Sequence, residues 1–286
     1  MNFAEHRIAT EDGPKVYARD YLSEGSHKLP VLCLHGLTRN SADFEIVAPR
    51  IATLGRRVIA IDVRGRGKSD NDPDPGRYRP DVYVGDVVRV LDTLNVPRAV
   101  FLGTSMGGIM TMIAAAAAPT RLASAILNDI GPEVDPKGVA RIASYVGKSG
   151  PFADWDDAIA SVRATQGAAF PHGDDAFWRT IVQRVVRERD DGRIEYAYDP
   201  AISQAFRNAG DAPPPSLIPF FEALAKLPVL VVRGETSDIL SRDGLDAMRR
   251  VKPDLVVAEV PGIGHAPTLE EPEAWDAIVA FLAMVE

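Results

Sequence analysis

An apolar run that passes within five residues into an Ala-rich run is the feature that most constrains this chain. Residues 100–102 are apolar, Gly103-Thr104-Ser105-Met106-Gly107 follows, and residues 109–118 are rich in Ala, Met and Ile. The first run predicts a buried strand and the last a helix. Glycine lacks a Cβ and lets the two elements approach closely. The sharp turn therefore predicts that the Ser105 side chain is exposed at the carboxyl end of a sheet, beside a helix N-terminus.

Short apolar runs alternate with helical patterns on both sides of this turn. This alternation predicts an α/β fold, a mostly parallel twisted sheet with helices on both faces. Near the amino terminus, Asp12-Gly13 separates two extended segments and predicts an antiparallel hairpin. The predicted strands are 7–10, 15–21, 30–34, 57–62, 100–102, 123–127, 228–232 and 256–260, and the predicted helices are 41–54, 83–94, 109–118, 243–251 and 274–284.

The alternating pattern stops at Gly131-Pro132 and resumes near residue 228. Between these points helical patterns dominate, at 137–146, 155–165, 176–187 and 217–224, with a short extended piece at 193–198 and a proline run at 213–215. We therefore predict an α/β core formed by residues 1–131 and 227–286, and a helical cap inserted at 132–226. The cap aromatic residues are expected to pack mainly against one another, with a few facing a pocket. They are Trp155, Phe170, Phe177, Trp178, Phe206, Phe220 and Phe221.

A serine hydroxyl needs a base to take its proton and a carboxylate to orient that base. Two late strands are each followed by a suitable residue: Asp238 comes after 228–232, and His265 comes after 256–260 in Gly262-Ile263-Gly264-His265. Loops at the carboxyl ends of strands are where ligands bind in α/β sheets. We predict Ser105, Asp238 and His265 as the catalytic residues. Asp129, which follows an earlier strand, and Asp243 remain alternatives for the acid.

These motifs resemble those of the α/β-hydrolase superfamily along almost the whole chain. The matching segments are His35-Gly36-Leu37, residues 62–69, 103–108, 234–238 and 262–265. Within the superfamily the chain is most similar to the capped, cofactor-free group of carboxylesterases, enol-lactonases and carbon–carbon bond hydrolases. The resemblance implies that Ser105 is the nucleophile, His265 the base and Asp238 its orienting acid. It also implies an oxyanion donor in the Leu37 backbone N–H.

A second oxyanion donor follows from the turn itself, since the Met106 N–H lies at the start of the predicted helix and has no acceptor within it. We expect His35 to pack the oxyanion turn. Arg64, Arg66 and Lys68 lie in a Gly-rich turn without the following helix N-terminus that a phosphate site requires, so they are interpreted as turn architecture.

No cofactor and no metal are expected. The five histidines are scattered, and His172 is expected to be a solvated loop residue. The single cysteine, Cys33, lies inside an apolar run and is expected to be a buried thiol. The glycine spacing at 103–108 does not match a dinucleotide-binding fingerprint.

The charge balance excludes some classes of partner. A net charge of -8 and a pI near 5.2 argue against nucleic acid or an anionic membrane as the main partner. The longest apolar run, 109–118, is too short to span a bilayer, and the amino terminus has no signal pattern. We therefore expect a cytoplasmic protein that acts on a small molecule, and the sequence does not indicate its oligomeric state.

The predicted activity is hydrolysis of a small or medium, partly apolar carboxylic ester or lactone through an acyl-enzyme. One alternative is hydrolysis of a carbon–carbon bond in a ring-cleavage product, which uses the same three residues. The other is a ligand-binding receptor built on the same fold, with an intact but slow triad. Assays with simple esters and with a dienol diketone distinguish the first two, and tight binding without turnover indicates the third.

Overall fold

The computed structural model describes residues 3–22, 25, 27–147, 150–204 and 216–285. The predictions for Phe206 and for the proline run 213–215 lie outside these residues. The strands are β1 (Ala4–Ala9), β2 (Lys15–Tyr21), β3 (Val31–Leu34), β4 (Val58–Asp62), β5 (Ala99–Thr104), β6 (Leu122–Asn128), β7 (Val186–Glu188), β8 (Ile194–Tyr196), β9 (Val229–Gly234) and β10 (Val256–Val260).

Eight of these strands form one sheet in the order β1-β2-β4-β3-β5-β6-β9-β10, and β7 and β8 form a separate hairpin. The pairings from β4 through β3, β5, β6 and β9 to β10 are parallel. The pairings of β1 with β2 and of β2 with β4 are antiparallel. The amino-terminal hairpin and the mostly parallel sheet are therefore both confirmed.

Helices cover both faces of this sheet. Among the described residues they are α1 (Val47–Thr53), α2 (Pro80–Thr93), α3 (Met106–Ala117), α4 (Pro136–Tyr145), α5 (Trp155–Gln166), α6 (Asp175–Val185), α7 (Ile218–Glu222), α8 (Arg242–Val251) and α9 (Pro272–Met284). Within these described ranges, no helix combines the length and the apolar character needed to cross a membrane.

Strand β3 shows how the two faces are built. Every residue of β3 is buried, and alternate side chains enter different clusters because side chains alternate along a strand. Leu32 and Leu34 join the core that includes α2 and α3. Val31 and Cys33 join the core that includes α1 and α9. Cys33 is thus a buried thiol, as predicted, and burial raises its pKa.

The predicted helix at 41–54 is wrong in its first part. A single 3-10 turn at Ser41–Phe44 comes first, and α1 begins only at Val47. Two side chains stabilise this turn, since the Asn40 side chain accepts a hydrogen bond from the Ala42 amide at 2.9 Å and Asp62 accepts one from the Ser41 amide at 2.6 Å.

Residues between β6 and β9 form α4 to α7 and the β7–β8 hairpin. The predicted helix at 176–187 ends at Val185, and Val186 already belongs to β7. The extended piece predicted at 193–198 contains β8. The Gly67 amide donates a 2.7 Å hydrogen bond to the Ala197 carbonyl and ties the hairpin region to the loop after β4. We use "insert" below for residues 132–226, and its status as a separate cap stays a prediction.

Candidate active site

Ser105 lies at the sharp turn between β5, which ends at Thr104, and α3, which begins at Met106. Its backbone has φ +51° and ψ -114°, a conformation that L-residues rarely adopt. Such a conformation costs roughly 1–3 kcal/mol and persists only where the surroundings enforce it. The Ser105 amide donates to the Asn128 carbonyl at 3.0 Å, so the neighbouring strand β6 holds the turn in place.

The glycines of this turn are required because backbone occupies the space of a side chain. A Cβ at Gly103 would overlap the carbonyl group of Gly107, and a Cβ at Gly107 would overlap the Leu34 carbonyl oxygen on β3. A Cβ at Gly108 would overlap the Ile130 side chain. The strand, the helix and the loop after β6 therefore meet at van der Waals distance around Ser105.

Three side chains form a hydrogen-bonded chain beginning at Ser105. His265 Nε2 lies 2.9 Å from Ser105 Oγ, and His265 Nδ1 lies 2.8 Å from Asp129 Oδ2. Ser105, Asp129 and His265 follow β5, β6 and β10, so all three come from the carboxyl edge of the sheet. With a proton on Nδ1, the ring donates to Asp129 and its Nε2 can accept the Ser105 proton.

The prediction that Asp238 orients His265 is wrong, because the structure places Asp129 on the ring. Asp129 is fully buried and also accepts hydrogen bonds from the Gly234 amide at 2.9 Å and from the Ser237 hydroxyl at 2.6 Å. Its backbone φ is +56°, a left-handed conformation that Asp tolerates better than most residues. The turn after β6 thus directs this carboxylate toward the His265 loop.

Asp238 binds the insert instead. Its carboxylate pairs with Arg141 of α4, at 2.5 Å to Nε and 2.8 Å to Nη2. Burial alone would raise the pKa of Asp238, but the hydrogen bond and charge of Arg141 hold it below the ordinary value. Asp243, the other alternative, is exposed on α8.

Two supporting residues were not predicted from the sequence. Ser237 donates to Asp129 and accepts from the Ile239 and Leu240 amides at 3.2 and 3.1 Å, which fixes the loop after β9. Asn128 donates to the Pro267 carbonyl at 2.8 Å and steadies the His265 loop. The sequence signal for Ser237 and Asn128 is a small polar residue at or just after the end of a strand. Such a residue can have many other roles.

The predicted oxyanion donors are Leu37, in the turn after β3, and Met106, which directly follows Ser105. Leu37 lines the cavity beside Ser105, and Met106 is the first residue of α3. Arg66 contacts both, since its Nε donates to the Leu37 carbonyl at 2.9 Å and its Nη2 lies 3.7 Å from the Met106 sulfur. The assignment of the two amides as oxyanion donors stays a prediction.

The comparison with known proteins decides the family. A family model described as "alpha/beta hydrolase fold" matches residues 30–272. This chain belongs to the α/β-hydrolase family. A crystal structure of an alpha/beta hydrolase from Novosphingobium aromaticivorans DSM 12444 is 41% identical, with a TM-score of 0.92 over 99% of both chains.

Two relatives of known activity resemble this hydrolase over most of their length. The 3-hydroxybutyrate-oligomer hydrolase of Cupriavidus necator is 35% identical over 85% of this chain and 84% of its own. The 2-(acetamidomethylene)succinate hydrolase of Mesorhizobium japonicum is 31% identical over the same shares, 85% and 84%. Both of these relatives are hydrolases.

A cavity of about 100 Å³ adjoins Ser105 and His265 in this α/β hydrolase. The turn after β3, the insert helices α4 to α6 and the loop at 265–269 form its walls. Among the aromatic residues of the insert, Phe170 and Tyr145 line the cavity, whereas Trp178 and Phe221 are buried in packing. Phe170, Phe177 and Trp178 form a cluster with ring centroids 5.0 to 6.1 Å apart.

His35 and the basic turn after β4 hold the backbone around the site. The His35 ring accepts from the Val63 amide at 2.9 Å through Nε2, and its Nδ1 lies 2.7 Å from the Gly36 carbonyl. Arg64 is buried and pairs with Asp72 and Asp86. These contacts agree with the structural roles predicted for His35 and Arg64.

No three metal-ligating side chains (His, Cys, Asp or Glu) come together in the part of the chain that the structure describes.

Proposed function

We propose that this α/β hydrolase is a serine hydrolase that cleaves a small or medium, partly apolar carboxylic ester or lactone through an acyl-enzyme. One observation carries the proposal: Ser105 Oγ, His265 and Asp129 are joined by hydrogen bonds of 2.9 and 2.8 Å. This geometry is that of a nucleophile, a base and an orienting acid. An ester is also what joins the units of a hydroxy-acid oligomer, the substrate in the name of the relative from Cupriavidus necator.

Acylation starts when Ser105 Oγ attacks the ester carbonyl carbon and His265 Nε2 takes the hydroxyl proton. Asp129 holds the ring with its protonated Nδ1 facing the carboxylate and stabilises the imidazolium that forms. The tetrahedral oxyanion then accepts hydrogen bonds from the amides of Leu37 and Met106. Collapse breaks the ester C–O bond, and His265 returns the proton to the leaving alcohol.

Deacylation repeats these steps with water as the nucleophile. His265 takes a proton from water, hydroxide adds to the acyl carbon, and the Ser105 oxygen leaves with the proton. The products are a carboxylic acid and an alcohol, so a lactone gives one hydroxy acid. A cavity of about 100 Å³ next to Ser105 favours a short acyl or alkoxy group at the reacting carbon.

Hydrolysis of 4-nitrophenyl acetate and butyrate by the wild type and by Ser105→Ala tests the proposal. We expect Ser105→Ala to lose at least about 10³-fold in kcat, because the nucleophile is removed. Ser161→Ala, on α5 of the insert, is the matched control and should keep wild-type rates. Equal rates in the wild type and Ser105→Ala would contradict the proposal. Tight binding of esters without turnover would favour a receptor instead.

A further inference from the structure

Three arginines line the small cavity beside Ser105: Arg39, Arg141 and Arg184. Arg184 already pairs with two carboxylates, Glu45 and Glu270, each at 2.9 Å. Two carboxylates of the protein therefore offset the positive charge of Arg184. Within the described part of the chain, the other two arginines each pair with one aspartate.

Asp238 occupies only one edge of the Arg141 guanidinium. The bonds run from Nε and Nη2, at 2.5 and 2.8 Å, and among the described residues no second carboxylate pairs with Arg141. A guanidinium carries five N–H donors in a planar fork. The Tyr145 hydroxyl also interacts with this guanidinium. The N–H donors that neither Asp238 nor Tyr145 takes are left for another acceptor, while Asp238 fixes the plane of the group.

Arg39, in the turn after β3, has the same arrangement. Asp43 bonds its Nε at 2.8 and 3.0 Å and its Nη2 at 2.7 Å. Its Nη1 has only a long contact, 3.4 Å to Gln166 Oε1. The Nη1 side of Arg39 is therefore also able to donate to another hydrogen-bond acceptor.

Arg39 lies close to the reacting serine, and Arg141 lines the same cavity. A Cβ built on Gly36 would lie 3.4 Å from Arg39 Cγ and 3.8 Å from Ser105 Cβ, so the Arg39 stem and Ser105 flank the same point. Burial raises the pKa of Tyr145, while the charges of Arg141 and Arg39 both act to lower it. The charges of Arg141 and Arg39 therefore both act on the Tyr145 hydroxyl. Tyr145 also lines the cavity.

We propose that this site takes esters carrying a carboxylate at their far end. The guanidinium edges of Arg39 and Arg141 that face away from Asp43 and Asp238 hold this carboxylate while Ser105 attacks the carbonyl. The proposal rests on the serine hydrolysis proposed above and names its substrate class. A planar fork matches the two oxygens of a carboxylate, and such charge-assisted pairs are strong where water is limited. The bond that breaks remains the ester C–O bond, with water as the second reactant.

Substrate pairs that differ only in a terminal carboxylate or amide test the effect of the substrate's negative charge alone. The pairs are ethyl hydrogen glutarate against its terminal amide, and 3-acetoxybutyrate against 3-acetoxybutyramide, which place the carboxylate on the acyl and on the alcohol side. We expect the wild type to prefer the acid at least about tenfold in kcat/KM in one pair. Equal kcat/KM values for acid and amide in both pairs would overturn the proposal.

Arginine variants then locate the preference. In Arg141→Met and in Arg39→Met the acid-to-amide ratio should fall toward one, and Arg141→Lys should recover only part of it, because lysine lacks the fork. Arg163→Met, which removes an exposed arginine of α5, is the matched control and should keep the wild-type ratio. A ratio unchanged in both cavity variants would overturn the assignment.

Binding to Ser105→Ala separates this inference from the proposed function. Calorimetric titration with 3-hydroxybutyrate and 3-hydroxybutyramide should show tighter binding of the acid, and Ser105→Ala/Arg141→Met should lose that difference. If no ester is hydrolysed but the difference persists, the carboxylate site stands and the esterase proposal fails. If esters are hydrolysed with no such difference, the esterase proposal stands and the carboxylate site fails.

Discussion

Asp129 receives three hydrogen-bond donors in a fully buried position: the Gly234 amide, the Ser237 hydroxyl and the His265 ring. A buried carboxylate is stable only when donors satisfy its oxygens. Asp238 is half-exposed, and its oxygens bond Arg141. Burial and donors thus distinguish an orienting acid from a carboxylate that joins the insert to the core.

Replacing the two acids one at a time tests this distinction. Asp129→Asn should lower kcat for 4-nitrophenyl acetate by about 10⁴-fold, because an amide no longer fixes the Nδ1-protonated ring. Asp238→Asn should cost less than about tenfold with this substrate, because it leaves the His265 hydrogen bonds in place. Asp243→Asn, at an exposed position of α8, is the control. A larger loss in Asp238→Asn than in Asp129→Asn would restore Asp238 as the acid.

Ser105 and His265 could be predicted because their signals are local. Gly-x-Ser-x-Gly after an apolar run and Gly-x-Gly-His after another each specify a strand and the turn that follows it. Whether Asp129 or Asp238 contacts His265 depends on the conformations of the loops after β6 and β9. The left-handed φ of Asp129 and the packing of Ser237 decide it, and neither follows from residue type.

At the scale of elements, β3, β5 and α3 approach one another more closely than side chains would allow. Gly107 on α3 faces the Leu34 carbonyl on β3, and Gly103 on β5 faces the Gly107 carbonyl. Gly85 of α2 has no such neighbour, since a Cβ there would meet nothing within 4 Å. Glycine in α3 therefore allows close contact between backbones, whereas glycine in α2 makes no such contact and carries only an entropic cost.

Alanine at these two positions should change stability in opposite directions. Gly85→Ala should raise the free energy of unfolding by about 0.5–1 kcal/mol, because alanine favours the helix and restricts the unfolded chain. Gly107→Ala should lower it by about 1–3 kcal/mol or more, because the methyl group overlaps backbone. Urea unfolding followed by circular dichroism measures both. A stabilised Gly107→Ala would contradict the tight approach of α3 to β3.

Element boundaries in the insert were harder to predict than those in the core. The apolar sequence continues from Val185 into Val186, where the helix ends and a strand begins. Both residues fit a buried helix and a buried strand equally well, so periodicity does not locate the change. The hairpin partner and the Gly192 turn, with φ +80°, determine it.

At the scale of the whole molecule, His35 makes stability depend on pH. Burial lowers the pKa of His35 to about 4, while a histidine in the unfolded chain titrates near pH 6.5. Between these values the unfolded chain binds the proton and the folded chain does not. The free energy of unfolding therefore falls as pH drops from about 6.5 toward about 4, and this contribution is fully present above pH 6.5.

Urea midpoints at pH 7.5 and pH 5 measure this effect. The wild type should be less stable at pH 5, and His35→Gln should show a smaller difference between the two values. His172→Gln replaces an exposed loop histidine and serves as the control. If His35→Gln does not fold, NMR titration of the His35 ring in the wild type gives the same answer, and a ring that protonates near pH 6.5 in the folded state would refute the prediction.

Ser105 and Asp129, the proposed nucleophile and acid, follow two adjacent parallel strands, β5 and β6, and both come before the insert in the chain. Only His265 is contributed from beyond it. Recombination that replaces the insert with that of a relative therefore leaves Ser105 and Asp129 together on one uninterrupted stretch of the chain. A lineage built this way can acquire new specificities by replacing one continuous stretch of its gene while its proton-transfer machinery is inherited intact.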